Sequence, residues 1–188
     1  MIGDYSEQGL LDALRRKDRA AYRCLFDLYF EKMVLFAEYF LLDRQESEDM
    51  VQEFFLALWN RKEIALVQPS SLKSYLFTQV RNRCLNRLKH LNIEDKHMQW
   101  LREAQQYAEI PDVEIDERLV AQIYEAIEEL PQQARVIFRR CVIDGRKYRE
   151  VAEEMGISVN TVNTQMKRAY KYLRTKLGVA FLFFLLSV

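Results

Sequence analysis

Six residues near the C-terminal end, Asn160, Asn163, Thr164, Lys167, Arg168 and Lys171, fall on one side of a helical repeat that carries no acid. Amides and a hydroxyl come first and cations follow. Asparagine and threonine can hydrogen-bond base edges while lysine and arginine reach phosphates, so a helix with this order suits a DNA major groove. A second set, Tyr75, Gln79, Asn82, Arg83, Asn86 and Lys89, interleaves cations with amides and an aromatic ring. That mixture can hold single-stranded DNA by phosphate contact and base stacking. A third set, Asp49, Gln52, Glu53 and Leu56, shares a face through spacings of three and four. It is either a solvated acidic face or a protein-docking surface. The sequence offers no nucleophile–base pair, metal-ligand cluster or phosphate-cradling glycine loop, so no enzyme activity, metal or cofactor is expected.

The first set must be positioned by the stretch Tyr148 to Leu177. Val151, Ala152 and Met155 define one apolar face of a short helix, and Gly156 can take the positive φ that ends it. Ser158 then caps a second helix, in which Val162, Met166, Ala169 and Leu173 form a buried stripe. This reads as a helix-turn-helix. The plainer alternative is a helical hairpin with a solvated basic face.

The rest of the chain also reads as helices. Leu10, Leu11 and Leu14 mark a first one within Asp4 to Arg16. Asp18 caps a second, from Arg19 to about Leu42, whose Tyr22, Phe26, Tyr29, Phe30, Phe36, Tyr39 and Phe40 suit a core. Asp43 and Glu46 cap a third, with Val51, Phe55, Leu58 and Trp59 turned inward. Residues 61–71 lack helical period and read as a loop. Ser70 or Ser71 caps a fourth helix reaching about Leu91, buried along Leu72, Leu76, Val80, Cys84 or Leu85, and Leu88. Residues 92–116 are polar, acidic and weakly periodic, and read as a linker with room for a helix over Gln99 to Ala108. Leu119, Ile123, Ala126, Ile127 and Leu130 mark a further helix from Glu117, ended by Pro131. Another follows from Gln132 to Ile143.

The totals agree with an all-α protein: 188 residues with only 5 Gly and 3 Pro, and no sustained two-residue alternation. A formal net charge of +0 hides two basic blocks, from Leu72 to His90 and from Met166 to Leu177, separated by an acidic one. Cys24, Cys84 and Cys141 are scattered, and no signal peptide is visible, so a cytoplasmic protein with reduced thiols is expected. The tail GVAFLFFLLSV has about ten apolar residues, which as a helix span roughly 15 Å, half of a hydrocarbon core. No integral membrane insertion is expected. The tail either packs on this chain or a partner, or serves a membrane surface or self-association.

Two motif sets resemble the extracytoplasmic-function group of bacterial RNA polymerase sigma factors. FDLYF, EDMVQEFFLALW and SYLFTQVRNRCLNRLK are similar to sigma region 2; LPQQARVIF and DGRKYREVAEEMGISVNTVNTQMKRAYKYLRTKL are similar to region 4. The resemblance implies a region 2 domain over 1–91, a flexible linker over 92–116, a region 4 helix-turn-helix domain over 117–178 and an apolar tail over 179–188. It implies a promoter-specificity factor for core RNA polymerase, with the β′ clamp helices and the β flap as docking sites and an anti-sigma factor as inhibitor. Asp49, Gln52, Glu53 and Leu56 match the clamp-docking helix. Tyr75, Arg81, Asn82, Arg83, Asn86 and Lys89 match the part that opens and holds the −10 element, with Tyr75 where many relatives have Trp and Asn86 where many have Asp. The −35 duplex falls to Lys147, Ser158, Asn160, Thr161, Asn163, Thr164, Lys167, Arg168 and Lys171, with Arg174 a further phosphate contact. Relatives usually place Ser or Thr at the position of Lys147, whose side chain cannot accept the capping bond. Two other readings stand beside this one. A free-standing helix-turn-helix regulator would leave EDMVQEFF unexplained, and a membrane-associated adaptor using the tail would leave both basic helices unexplained.

Overall fold

In a computed structural model, residues 6–60, 72–90 and 117–187 are described, and all regular structure among them is helical. The loop read over 61–71, the Ser70 or Ser71 cap and the linker over 92–116 lie outside the described residues. Helix α1 (Glu7–Arg15) begins at Ser6, whose hydroxyl accepts the Gly9 N–H. Helix α2 (Arg19–Leu41) is capped by Asp18, which accepts the N–H groups of Ala20 and Ala21. It ends where Leu42 turns left-handed, at φ 54°. Helix α3 (Arg44–Asn60) follows, with Glu46 N–H on Oδ1 of Asp43 at 3.0 Å. Helix α4 (Leu72–His90) completes the first half. Helix α2 is its centre, packed against α1, α3 and α4.

The second half starts with α5 (Glu117–Glu128) and α6 (Gln132–Phe138), which runs into a wider π turn over Arg139–Ile143. Helices α7 (Tyr148–Met155) and α8 (Val159–Leu177) form the helix-turn-helix, and α9 (Val179–Ser187) is the apolar tail. The expected stripe Val162, Met166, Ala169 and Leu173 is wholly buried, joined by Tyr170.

The two halves share one continuous core, because α2 packs against both α8 and α9. Tyr170 donates its hydroxyl to the Leu35 carbonyl at 3.0 Å. Arg174 donates to the Tyr39 carbonyl at 2.8 Å, at the end of α2 where helical carbonyls lack partners and a cation is favoured. Glu38 is 2% exposed and accepts the Tyr148 hydroxyl at 2.7 Å. Arg44 joins the same cluster. Its guanidinium meets Glu31 at 2.7 Å, Glu48 at 2.6 Å and Glu38 at 3.7 Å, and lies 4.3 Å from the centre of the Tyr148 ring. Burial pushes the Glu38 carboxyl from 4.5 up to about 7, although Arg44 and the Tyr148 hydroxyl pull it down.

Candidate nucleic-acid interface

Local chemistry sets the recognition helix. Gly156 sits at φ 63°, a conformation that favours glycine, and turns the chain out of α7. Ser158 then accepts the Thr161 N–H at 3.0 Å, and its hydroxyl also meets that of Thr161 at 2.9 Å. These two hydroxyls are spent mainly on holding the start of α8. Asn160 is exposed, and its backbone carbonyl accepts the Thr164 hydroxyl at 2.9 Å. Thr164 therefore offers solvent its lone pairs and methyl group rather than its proton. Asn163 is half-buried, and its Oδ1 has no hydrogen-bond partner among the described residues. Lys167, Arg168 and Lys171 are all exposed further along the helix. The order anticipated from sequence, polar tips first and cations behind, is thus retained on one surface.

Two cations at the edges of this surface have particular partners within the chain. Arg174, expected on phosphate, is engaged instead with the end of α2. Lys147 supplies no side-chain cap, yet α7 does begin there. The Lys147 N–H donates to Oε2 of Glu150 at 3.1 Å, so the carboxylate three residues on supplies the cap from the other side. Arg146 pairs with the same carboxylate at 3.1 Å. The Glu at the third helical position was the sequence signal for this arrangement.

On α4, Asn82, Asn86 and Lys89 are exposed, while Tyr75, Gln79 and Arg83 are half-buried along the same side. Arg83 lies 5.7 Å from the centre of the Phe54 ring, which steadies its guanidinium. Arg81 does not join this face. It is 4% exposed, because it falls between Phe77 and Leu85 on the buried row, and its guanidinium reaches Oδ1 of Asn82 at 3.3 Å. Arg87 pairs with Glu46 of α3 at 2.6 Å, which ties α4 to α3.

Asp49, Gln52, Glu53 and Leu56 are brought together on the outer side of α3, all exposed. Leu56 is 67% exposed, a large apolar side chain placed among acids and amides. Asp49 is held by the Gln45 amide at 3.0 Å. Behind this face, Val51, Phe54, Phe55 and Leu58 are buried, and Tyr22 donates to the Phe55 carbonyl at 2.8 Å. The face is thus set on a rigid support and offers a partner both charge and an apolar contact.

Cys24, Cys84 and Cys141 form no disulfide among the described residues, and burial raises the thiols of Cys84 and Cys141, the latter to about 12. Among the described residues, no cluster of His, Cys, Asp and Glu could hold a metal ion, and no helix is long and apolar enough to cross a membrane.

Comparison with known proteins follows the same division. Residues 25–92 match the sigma-70 region 2 family, and residues 121–173 match the sigma-70 region 4 family. The chain is 25% identical over 174 residues to the ECF RNA polymerase sigma factor RpoE of Cereibacter sphaeroides, covering 88% of this chain and 91% of that one. It is 24% identical to the ECF RNA polymerase sigma factor SigL of Mycobacterium tuberculosis, covering 85% and 90%. It is 26% identical to the ECF RNA polymerase sigma factor SigX of Bacillus subtilis, covering 81% of each.

Proposed function

The chain belongs to the extracytoplasmic-function group of sigma-70 factors, non-enzymatic proteins of promoter-specific transcription initiation, and from that premise we propose which of its surfaces meets each partner. The α3 face of Asp49, Gln52, Glu53 and Leu56 docks on the β′ clamp helices of core RNA polymerase. The α4 face of Tyr75, Asn82, Arg83, Asn86 and Lys89 opens and holds the −10 element, with Arg81 orienting the Asn82 amide from behind. Displaced bases stack on the aromatic ring while the cations hold phosphates. The recognition helix α8 reads the −35 duplex with Asn160, Asn163 and Thr164, and grips its backbone with Lys167, Arg168 and Lys171. Ser158 and Thr161 set the start of that helix, and Lys147 adds a cation beside it. Residues 1–91 and 117–178 act as separate functional units joined by 92–116, the second also touching the β flap. An anti-sigma factor holds the protein inactive, and work on polymerase and chromosome implies a cytoplasmic location.

The observation that carries this reading is the coexistence, on one chain, of an acidic face that carries exposed Leu56 and a cationic face on α8 that contains no acid. The test is run-off transcription with purified core polymerase on genomic fragments. New start sites are expected with the wild-type protein and not with the Asp49→Ala/Gln52→Ala variant. Duplex binding by the protein alone, without new starts, would point to a polymerase-independent regulator.

A further inference from the structure

We propose that helix α9 is a latch that clamps region 4 onto region 2 in the free protein, and that engaging a promoter requires its release. Phe181 is the centre of the latch. It is fully buried, and its ring centre lies 5.8 Å from that of Tyr39 in the first half, and 6.0 Å and 5.7 Å from those of Phe138 and Tyr170 in the second. Leu182, Phe184 and Leu185 are buried beside it, with Phe184 edge-on to Tyr124 of α5 at 6.2 Å. The Tyr39 hydroxyl donates to the Gly178 carbonyl at 3.1 Å, which fixes the point where α8 gives way to α9. One short helix thus contacts α2, α5 and α8 together.

The polar contacts across the boundary act in the same direction. Tyr148 to Glu38, Tyr170 to Leu35 and Arg174 to Tyr39 each join region 4 to α2 through a side chain that region 4 supplies. All three would be lost together on separation. Leaving Phe181 and its neighbours in water is unfavourable, so the closed arrangement is held by the tail as well as by these bonds.

Closure and promoter binding exclude each other, an argument that rests on the initiation-factor reading. By their numbering, the −10 and −35 elements are centred about 25 base pairs apart, which is ~85 Å along the helix at 3.4 Å per pair. Helices α2 and α8 are in direct contact in the closed form. The Leu56 face remains exposed while the latch is shut, so polymerase can dock on region 2 first and region 4 can leave afterwards.

The test uses hydrogen exchange on the full-length wild-type protein, free and bound to core polymerase, after co-purification has established that the two bind. Amides of Val179 to Ser187 are expected to be protected in the free protein and to exchange at least tenfold faster in the complex. Equal protection in both would overturn the latch. Small-angle scattering of the free protein gives an independent reading. A closed chain of this length has a radius of gyration of roughly 16 Å. Phe181→Ala and truncation after Gly178 are expected to increase the measured value with helicity retained. An unchanged radius in both, or an extended wild type, would overturn the proposal. Should a variant lose helicity, the exchange comparison on the wild type decides. Failure to co-purify with polymerase would count against the initiation-factor reading, while scattering would still judge closure.

Discussion

The Tyr148 hydroxyl donates to Oε2 of Glu38 at 2.7 Å, joining residues 110 positions apart across the boundary between regions 2 and 4. Glu38 faces Glu31 on its own helix, Arg44 and Glu48 on α3, and Tyr148 on α7. Its carboxyl is raised from 4.5 to about 7, chiefly by burial. The folded protein therefore keeps a proton that the unfolded chain releases across that window. The contribution is complete below pH 4.5 and is lost as pH rises through about 7. A shift of this size corresponds to about 3 kcal/mol. Melting curves from pH 4.5 to pH 8 should show stability falling by several degrees with rising pH, and Glu38→Gln should flatten the trend. The same slope in the variant would assign the titration to another group.

Ser158 builds the start of α8, and on the proposed reading that is its contribution to DNA recognition. Its side chain accepts the Thr161 N–H at 3.0 Å. Ser158→Ala should cost about 1 kcal/mol, the usual value of a helix N-cap. For a protein of this size that is a drop of roughly 2–4 °C in Tm. Ser158→Asp should restore the melting temperature, because aspartate caps equally well, while its charge weakens binding to a −35 duplex. Calorimetry and fluorescence anisotropy on the two variants separate the roles. Weakened stability in Ser158→Asp would remove the capping account.

Much of this was legible in the sequence, and the reason is local. Caps at Asp18, Asp43 and Ser158, and the stripe from Val162 to Leu173, follow from hydrogen-bonding groups and spacing within a few residues. The exposed set on α3 followed from the same periodicity. What the sequence did not reveal is which buried faces meet. Tyr39, Tyr148, Tyr170 and Phe181 each suit a core, and periodicity says that a side is buried without saying against what. For Arg81 a motif match names a residue type, whereas its buried position follows from its place between Phe77 and Leu85. The tail fell between docking on this chain and serving another surface. Only the three-dimensional arrangement shows Phe181 seated among Tyr39, Phe138 and Tyr170.

Leu56 separates docking from folding. At 67% exposure it contributes little to the core, so Leu56→Ala should change stability by no more than about 0.5 kcal/mol. Binding energy concentrates in the few side chains that a partner buries fully, each costing about 2 kcal/mol or more when truncated, and Leu56 is the large apolar side chain this face offers for that role. Affinity for core polymerase should therefore fall at least tenfold with Tm unchanged. Phe55→Ala, at a buried position one residue away, should instead lower Tm strongly. Binding by Leu56→Ala equal to wild type would show that polymerase meets another surface.

The cations of α8 make a prediction in salt rather than in sequence. Lys167, Arg168 and Lys171 are exposed on a helix whose polar tips lie nearer its start. A side chain that neutralises one phosphate releases about one counterion, and removing it lowers the slope of log K against log salt by roughly 1. Arg168→Ala should therefore weaken binding to matched and mismatched duplexes alike, and reduce that slope. Asn160→Ala should leave the slope unchanged and narrow the gap between matched and mismatched duplexes, because an amide on a base edge carries sequence information but no charge. Arg174 supplies the internal control. Its guanidinium donates to the Tyr39 and Phe40 carbonyls, so while the protein stays closed Arg174→Ala should leave the slope untouched and lower stability. Titrations of the three variants across a range of salt concentrations distinguish these outcomes. A slope that falls equally in Arg168→Ala and Arg174→Ala would mean that region 4 binds DNA only after leaving α2, with Arg174 freed to reach a phosphate.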